Sequence, residues 1–206
     1  MYPYYTIAFS VVKPLLPTFF RFLKKFFATL GTPFPPASIR CNMSLIITDY
    51  NRTAATAYAK RWALSRNPDF YNFDKLGGDC TNFASQCVYA GSGVMNFTPT
   101  FGWYYLSLND RTPSWTGVEY LYNFLTQNDG VGPFAEEVPL EQAELGDLVQ
   151  LGRATGDFYH TPVITGFSGR NVLVSAHTYN VYNRPLSSYN YTRLRVLHIL
   201  GVRKQN

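Results

Sequence analysis

Histidine and cysteine are scarce in this chain, three of each in 206 residues, and charged side chains make up only 15% of it. Three cysteines cannot pair without leaving one over. That count argues against a disulfide-stapled module and fits a reducing compartment or a working thiol. Acidic residues are missing from 1–42, where Lys13, Arg21, Lys24, Lys25 and Arg40 stand alone. Removing those five from the eighteen basic residues leaves thirteen, matched by thirteen acids, so 43–206 is neutral. The net charge of +5 thus belongs to the extension, and no Lys/Arg stripe marks the remainder as a nucleic-acid surface. No run is long and apolar enough to span a bilayer. No charge precedes the apolar run Tyr5 to Val12 as a signal peptide requires, which points to the cell interior.

What is present divides into an extension, 1–42, and one domain, 43–206, with a core of ordinary size supported by 46% hydrophobic content. The extension reads as unstructured, or as sequence upstream of a true start at Met43. Its residues 17–30 alternate large apolar side chains with Arg21, Lys24 and Lys25, the pattern of a weak membrane-surface helix. Within the domain, Asp49 or Asn51 caps a helix over 53–63, with Ala54, Tyr58 and Trp62 on one face. Thr116-Gly117-Val118-Glu119 has capping-box spacing, and Val118, Leu121, Tyr122 and Leu125 form the apolar face of a further helix. Between the two, the aromatic passage Phe97 to Trp115 is interrupted by Pro99, Gly102 and Pro113 and reads as a cleft lining or a cover for the core. Beyond Gly130 the period changes, and 148–151, 160–167, 171–177 and 191–200 read as strands. Helices first and an antiparallel sheet second define an α+β fold.

The run Gly77 to Gly91 carries the most chemistry. Two glycines lead to Asp79, a suitable helix N-cap, and Gly91 suits the stop. Cys80 then occupies the first helical position, where the helix dipole favours thiolate, the nucleophilic form. Cys87 lies within the apolar stripe and reads as core. If Ser168-Gly169 is a two-residue hairpin loop, Phe167 pairs with Arg170 and His160 faces His177 on the same side of the sheet. His160 would then take the thiol proton and His177 would orient it, with Asn180 a rival orienter and Asp79 a cap more than an acid. His198 has no evident partner.

The Gly77 to Gly91 run, the Trp103 and Trp115 segments, Leu145-Gly146-Asp147, His160 to Thr165 and Ser175 to Thr178 together resemble the bacterial putative amidase domain. This is a papain-like group related to NlpC-type cell-wall peptidases. The resemblance covers about 47–200 and implies a papain-like, NlpC-like fold with the nucleophile helix packed on the sheet. It implies Cys80 as nucleophile, His160 as base and His177 as third residue, no cofactor or metal, and hydrolysis of amide bonds in peptides or peptidoglycan at the cell envelope. The competing expectations are a wall-binding module without catalysis, and a zinc hydrolase with Cys80, His160 and His177 as ligands.

Overall fold

A computed structural model describes residues 44–206; the expected membrane-surface segment 17–30 lies outside the described residues. Its elements, in chain order, are β1 (Leu45–Thr48), α1 (Arg52–Trp62), α2 (Cys80–Ser92), β2 (Tyr105–Ser107), β3 (Asp110–Arg111), α3 (Pro113–Thr116), α4 (Val118–Gln127), β4 (Gly132–Val138), β5 (Leu148–Gly152), β6 (Phe158–His160), β7 (Val163–Ser168), β8 (Asn171–Ala176), β9 (Val181–Pro185) and β10 (Arg193–Gln205). The result is a mixed helix and sheet domain whose strand pairs are antiparallel.

The long strand β10 organises the sheet. Its residues 193–197 pair with β5 and 202–205 with β1, while β4 takes the opposite edge over 196–203. From β5 the sheet continues through β7, β8 and β9, and β6 is a short additional partner of β5. Alternation along β5 gives the sheet two covered faces. Leu148 joins the helix-side core with Val163, Leu197, Phe83 and Trp115, whereas Val149 and Leu151 join a smaller cluster with Ile164, Val174 and Leu186.

The helices are fixed locally by sequence. Asn51 is the N-cap of α1 and its side chain accepts from the Ala54 N–H at 2.9 Å, so it, rather than Asp49, performs the capping. Arg52, at the start of α1, reaches the sheet: it contacts Asp147 at 2.6 Å and donates to the Ile199 carbonyl at 2.8 Å. Asp147 also bonds His198 at 2.8 Å, supplying the partner that sequence reading did not find. Helix α2 runs on past Gly91 to Ser92 and stops at Gly93, whose φ of 70° is the left-handed conformation that ends helices. Gly91 serves packing instead: a Cβ there would lie 2.8 Å from Tyr50 Cζ and 2.9 Å from the Asn51 carbonyl.

The expected capping box at Thr116 does not form. Thr116 ends the short α3, Gly117 is the cap of α4 without a side-chain bond, and Glu119 pairs with Arg195 at 3.0 Å. Nor is 160–167 one strand. Thr161-Pro162 breaks it into β6 and β7 because proline has no N–H for the ladder.

Candidate active site

Gly77 and Gly78 both have positive φ, 99° and 110°, and bring the chain into α2 through a backbone path that residues with a Cβ rarely follow. Asp79 follows at the N-cap position, but its carboxylate makes no capping bond. It is buried and turned away, accepting from the Phe73 N–H at 3.0 Å, Asn82 Nδ2 at 2.8 Å and His177 Nδ1 at 2.7 Å, with Arg66 Nε at 3.0 Å. Burial alone would raise its pKa, yet these donors outweigh burial and hold the carboxyl below its ordinary range. The expectation that the helix start claims this carboxylate is corrected: it anchors several parts of the chain.

His177 is the other half of that anchor. Its Nε2 faces the Trp62 carbonyl at 2.9 Å while Nδ1 faces Asp79, and its ring stacks on Phe83 with centroids 4.0 Å apart. Both nitrogens face acceptors, which fixes the ring between Asp79 and the Trp62 carbonyl. The next residue strengthens the same joint, because Thr178 Oγ1 accepts from the Asp79 N–H at 3.0 Å. Asn180 is fixed nearby by Arg66 Nη1 at 2.8 Å. The loop after β8 is thereby clamped to the end of α1 and the start of α2.

This arrangement corrects the expected pairing of His160 with His177. The hairpin register is Ser168 with Asn171 and Phe167 with Val172, two residues offset from the expected Phe167–Arg170 pair, and it shifts again between Ile164 and Gly166. His160 lies on β6, where it pairs with Leu151 of β5. Neither His177 nor Asn180 is directed at it. Its ring nitrogens have no hydrogen-bond partner among the described residues, and its ring neighbours are Tyr189 at 5.7 Å and Tyr159 at 6.3 Å between centroids.

Cys80 nonetheless meets the segment that carries His160. Thr161, the residue after His160, approaches the Cys80 side chain through Thr81. Thr81 Oγ1 lies 3.8 Å from the Cys80 sulfur and 3.4 Å from Thr161 Oγ1. Gln150 Nε2 reaches Thr161 Oγ1 at 3.4 Å and its Oε1 accepts from Arg195 at 2.7 Å, so a buried polar chain runs back from the thiol into the sheet. Thr81, Thr161 and Gln150 were not picked out by sequence reading; a buried threonine or glutamine has no signal until its partners are known.

The electrostatics differ from the dipole argument. Burial pushes the Cys80 thiol above its ordinary pKa despite the lowering by Thr161 and Thr81. Burial also lowers His160 to about 4, with a smaller contribution from the Arg184 charge. Thiol and imidazole are both neutral near pH 7. Among the described residues no three His, Cys, Asp or Glu side chains gather to hold a metal ion, and the expected zinc set fails because His177 already spends both nitrogens. Cys87, fully buried in the helix-side core, has its thiol pushed up by burial and sits as expected of a core residue. A cavity of about 580 Å³ opens elsewhere, bordered by Phe101, Tyr120, Asn123 and Asn128, and does not include Cys80.

The domain thus places a buried thiol at a helix start near Thr161, the residue after His160. Residues 49–200 match the family model described as "Putative amidase domain", and the chain belongs to that family, whose description indicates amide hydrolysis at the level of reaction class. Two relatives from Bacillus subtilis (strain 168) are similar to it. The uncharacterized protein YhbB is 32% identical over 136 residues, 64% of this chain and 42% of YhbB. The uncharacterized protein YjcM is 27% identical over 148 residues, 68% of this chain and 33% of YjcM. The chain thus spans less than half the length of either relative. No solved structure matches it.

Proposed function

We propose that this domain is a thiol-dependent amide hydrolase of papain-like, NlpC-like arrangement, with Cys80 as nucleophile and His160 as base. The observation that carries this reading is the approach of Cys80 to Thr161 through Thr81, whose hydroxyl lies 3.8 Å from the sulfur and 3.4 Å from Thr161 Oγ1, which brings the nucleophile close to the residue next to the base. Support for the papain-like arrangement comes from α2 packing on β4 and β8, with its first residue at the junction of β6 and β7. Cell-wall peptides are the proposed substrates on the strength of the family resemblance.

In the proposed reaction, substrate binding completes the pairing of thiol and imidazole, since catalytic hydrogen bonds of a resting enzyme commonly tighten only in the complex. A free imidazole nitrogen of His160 takes the Sγ proton, and the sulfur attacks the carbonyl carbon. The oxyanion is stabilised by the Cys80 N–H at the start of α2. The protonated imidazole gives its proton to the departing amine, and water, deprotonated by the same ring, hydrolyses the thioester. His177 positions the nucleophile by fixing Asp79 and takes no proton from substrate.

The test is acylation by an activated ester followed by mass spectrometry. The expected result is a thioester on Cys80, absent in Cys80→Ser and strongly reduced in His160→Ala, with amide cleavage lost in both variants. Acylation at other residues only, with Cys80→Ser cleaving amides at the wild-type rate, would overturn the mechanism.

A further inference from the structure

Arg184 is a cation beside the candidate base that the mechanism does not use. Its guanidinium lies over the Tyr189 ring at 4.2 Å, and Tyr189 is the ring neighbour of His160 at 5.7 Å. Nε and Nη2 are spent on Ser188, on its hydroxyl at 2.7 Å and its carbonyl at 3.0 Å. Nη1 has no hydrogen-bond partner and the side chain pairs with no acid among the described residues, in contrast to Arg52, Arg66, Arg153 and Arg195, each of which meets a carboxylate. The side chain is only partly buried, so a ligand can reach it.

The bonds to Ser188 and the stacking on Tyr189 hold the guanidinium in place, which lowers the entropy cost of using it for recognition. Tyr189 thus stands between Arg184 and His160, and the Arg184 charge contributes to the lowered imidazole pKa of His160. Held there without a counter-ion, Arg184 favours a negative group on whatever approaches the thiol.

Resting on the thiol reading above, we propose that Arg184, held on Tyr189, selects amide substrates that carry a carboxylate close to the scissile bond. The carboxylate would take the free Nη1 donor in a charge-assisted hydrogen bond, and the Tyr189 ring would pack on the adjoining carbon chain. Neutral amides of the same shape would lack that bond and react more slowly. Arg184 is thus a specificity-determining residue, and the reaction chemistry proceeds without it.

Iodoacetate and iodoacetamide provide a direct test, because they are nearly isosteric, attack the same sulfur and differ in one negative charge. Their alkylation rates at Cys80 would be measured over a common pH series by mass spectrometry in the full chain, in wild type, Arg184→Gln and Arg184→Lys, with thermal melting as the check on folding. A unit charge at this range, partly screened by solvent, is expected to be worth about fivefold in the iodoacetate to iodoacetamide ratio. The expected result is that ratio falling about fivefold in Arg184→Gln, with iodoacetamide unaffected and the ratio largely restored in Arg184→Lys. An unchanged ratio with Cys80 still reactive overturns the role of Arg184 and leaves the nucleophile standing. Equal slowing of both reagents also overturns it, since Arg184 would then act on the thiol itself. A Cys80 inert to both reagents, in a protein that melts cooperatively, overturns the thiol reading and this inference with it.

Discussion

Folding should leave a pH signature at His160. In the unfolded chain an imidazole titrates near its ordinary value of 6.5, and in the folded domain burial and Arg184 bring His160 to about 4. Between those values the unfolded state binds a proton that the folded state refuses, so stability rises as pH increases through the window and is level above it. The full difference amounts to about 3 kcal/mol, and about 2 kcal/mol of it is already lost by about pH 5. Urea unfolding of wild type and His160→Gln at about pH 7.5 and about pH 5 isolates this contribution. The wild type should lose about 2 kcal/mol more than the variant between the two conditions, other groups cancelling in the comparison. A pH slope that is the same in both proteins would refute the argument that His160 is desolvated. The same value predicts that the acid limb of kcat/KM, which reports the free base, falls near pH 4 and not near 6.5.

Four further outcomes follow from the packing. His177→Ala should lower stability by about 3 kcal/mol by leaving the buried Asp79 carboxylate without its His177 hydrogen bond. Combined with Asp79→Asn in a double-mutant cycle, it should show strong non-additivity, and additive losses would contradict a shared clamp. Gly91→Ala should destabilise by about 2 kcal/mol in thermal or urea melts in spite of alanine's better helix propensity, because the new methyl group meets the buried Tyr50 ring. Cys87→Ala should cost about 1 kcal/mol and leave amide cleavage unchanged, separating the core thiol from the candidate nucleophile. Asp79 has a lowered pKa, so its contribution is fully present above the unfolded value of 3.8 and lost as pH falls through the folded one; Asp79→Asn should flatten the acid end of the stability profile.

The distribution of right and wrong expectations has a physical pattern. Features set within one turn or a few residues were legible: the Asn51 region as a helix start, Cys80 opening a helix, Cys87 in its buried stripe, and the strand at 171–176. Features set by partners distant in sequence were not. The hairpin register moved because the ladder shifts between Ile164 and Gly166, and the strand containing His160 ended because Pro162 cannot donate, the latter a signal already present in the sequence. Strand β4 hid because Gly132, Pro133, Glu136 and Glu137 obscure its alternation, though β10 supplies a full pairing partner.

The site itself divides along the same line. Asp79 was legible as the residue at the helix boundary, but its carboxylate is used by a histidine 98 positions away, and the thiol that follows it is governed less by the helix dipole than by burial. A dipole of about half a charge lowers a thiol pKa only modestly, whereas removal from water raises it by more. Burial therefore holds Cys80 as a thiol and His160 as a neutral imidazole near pH 7, and in the proposed mechanism the one passes its proton to the other. On that proposal, activation comes from the pairing of base and thiol that substrate binding completes, and not from the helix dipole.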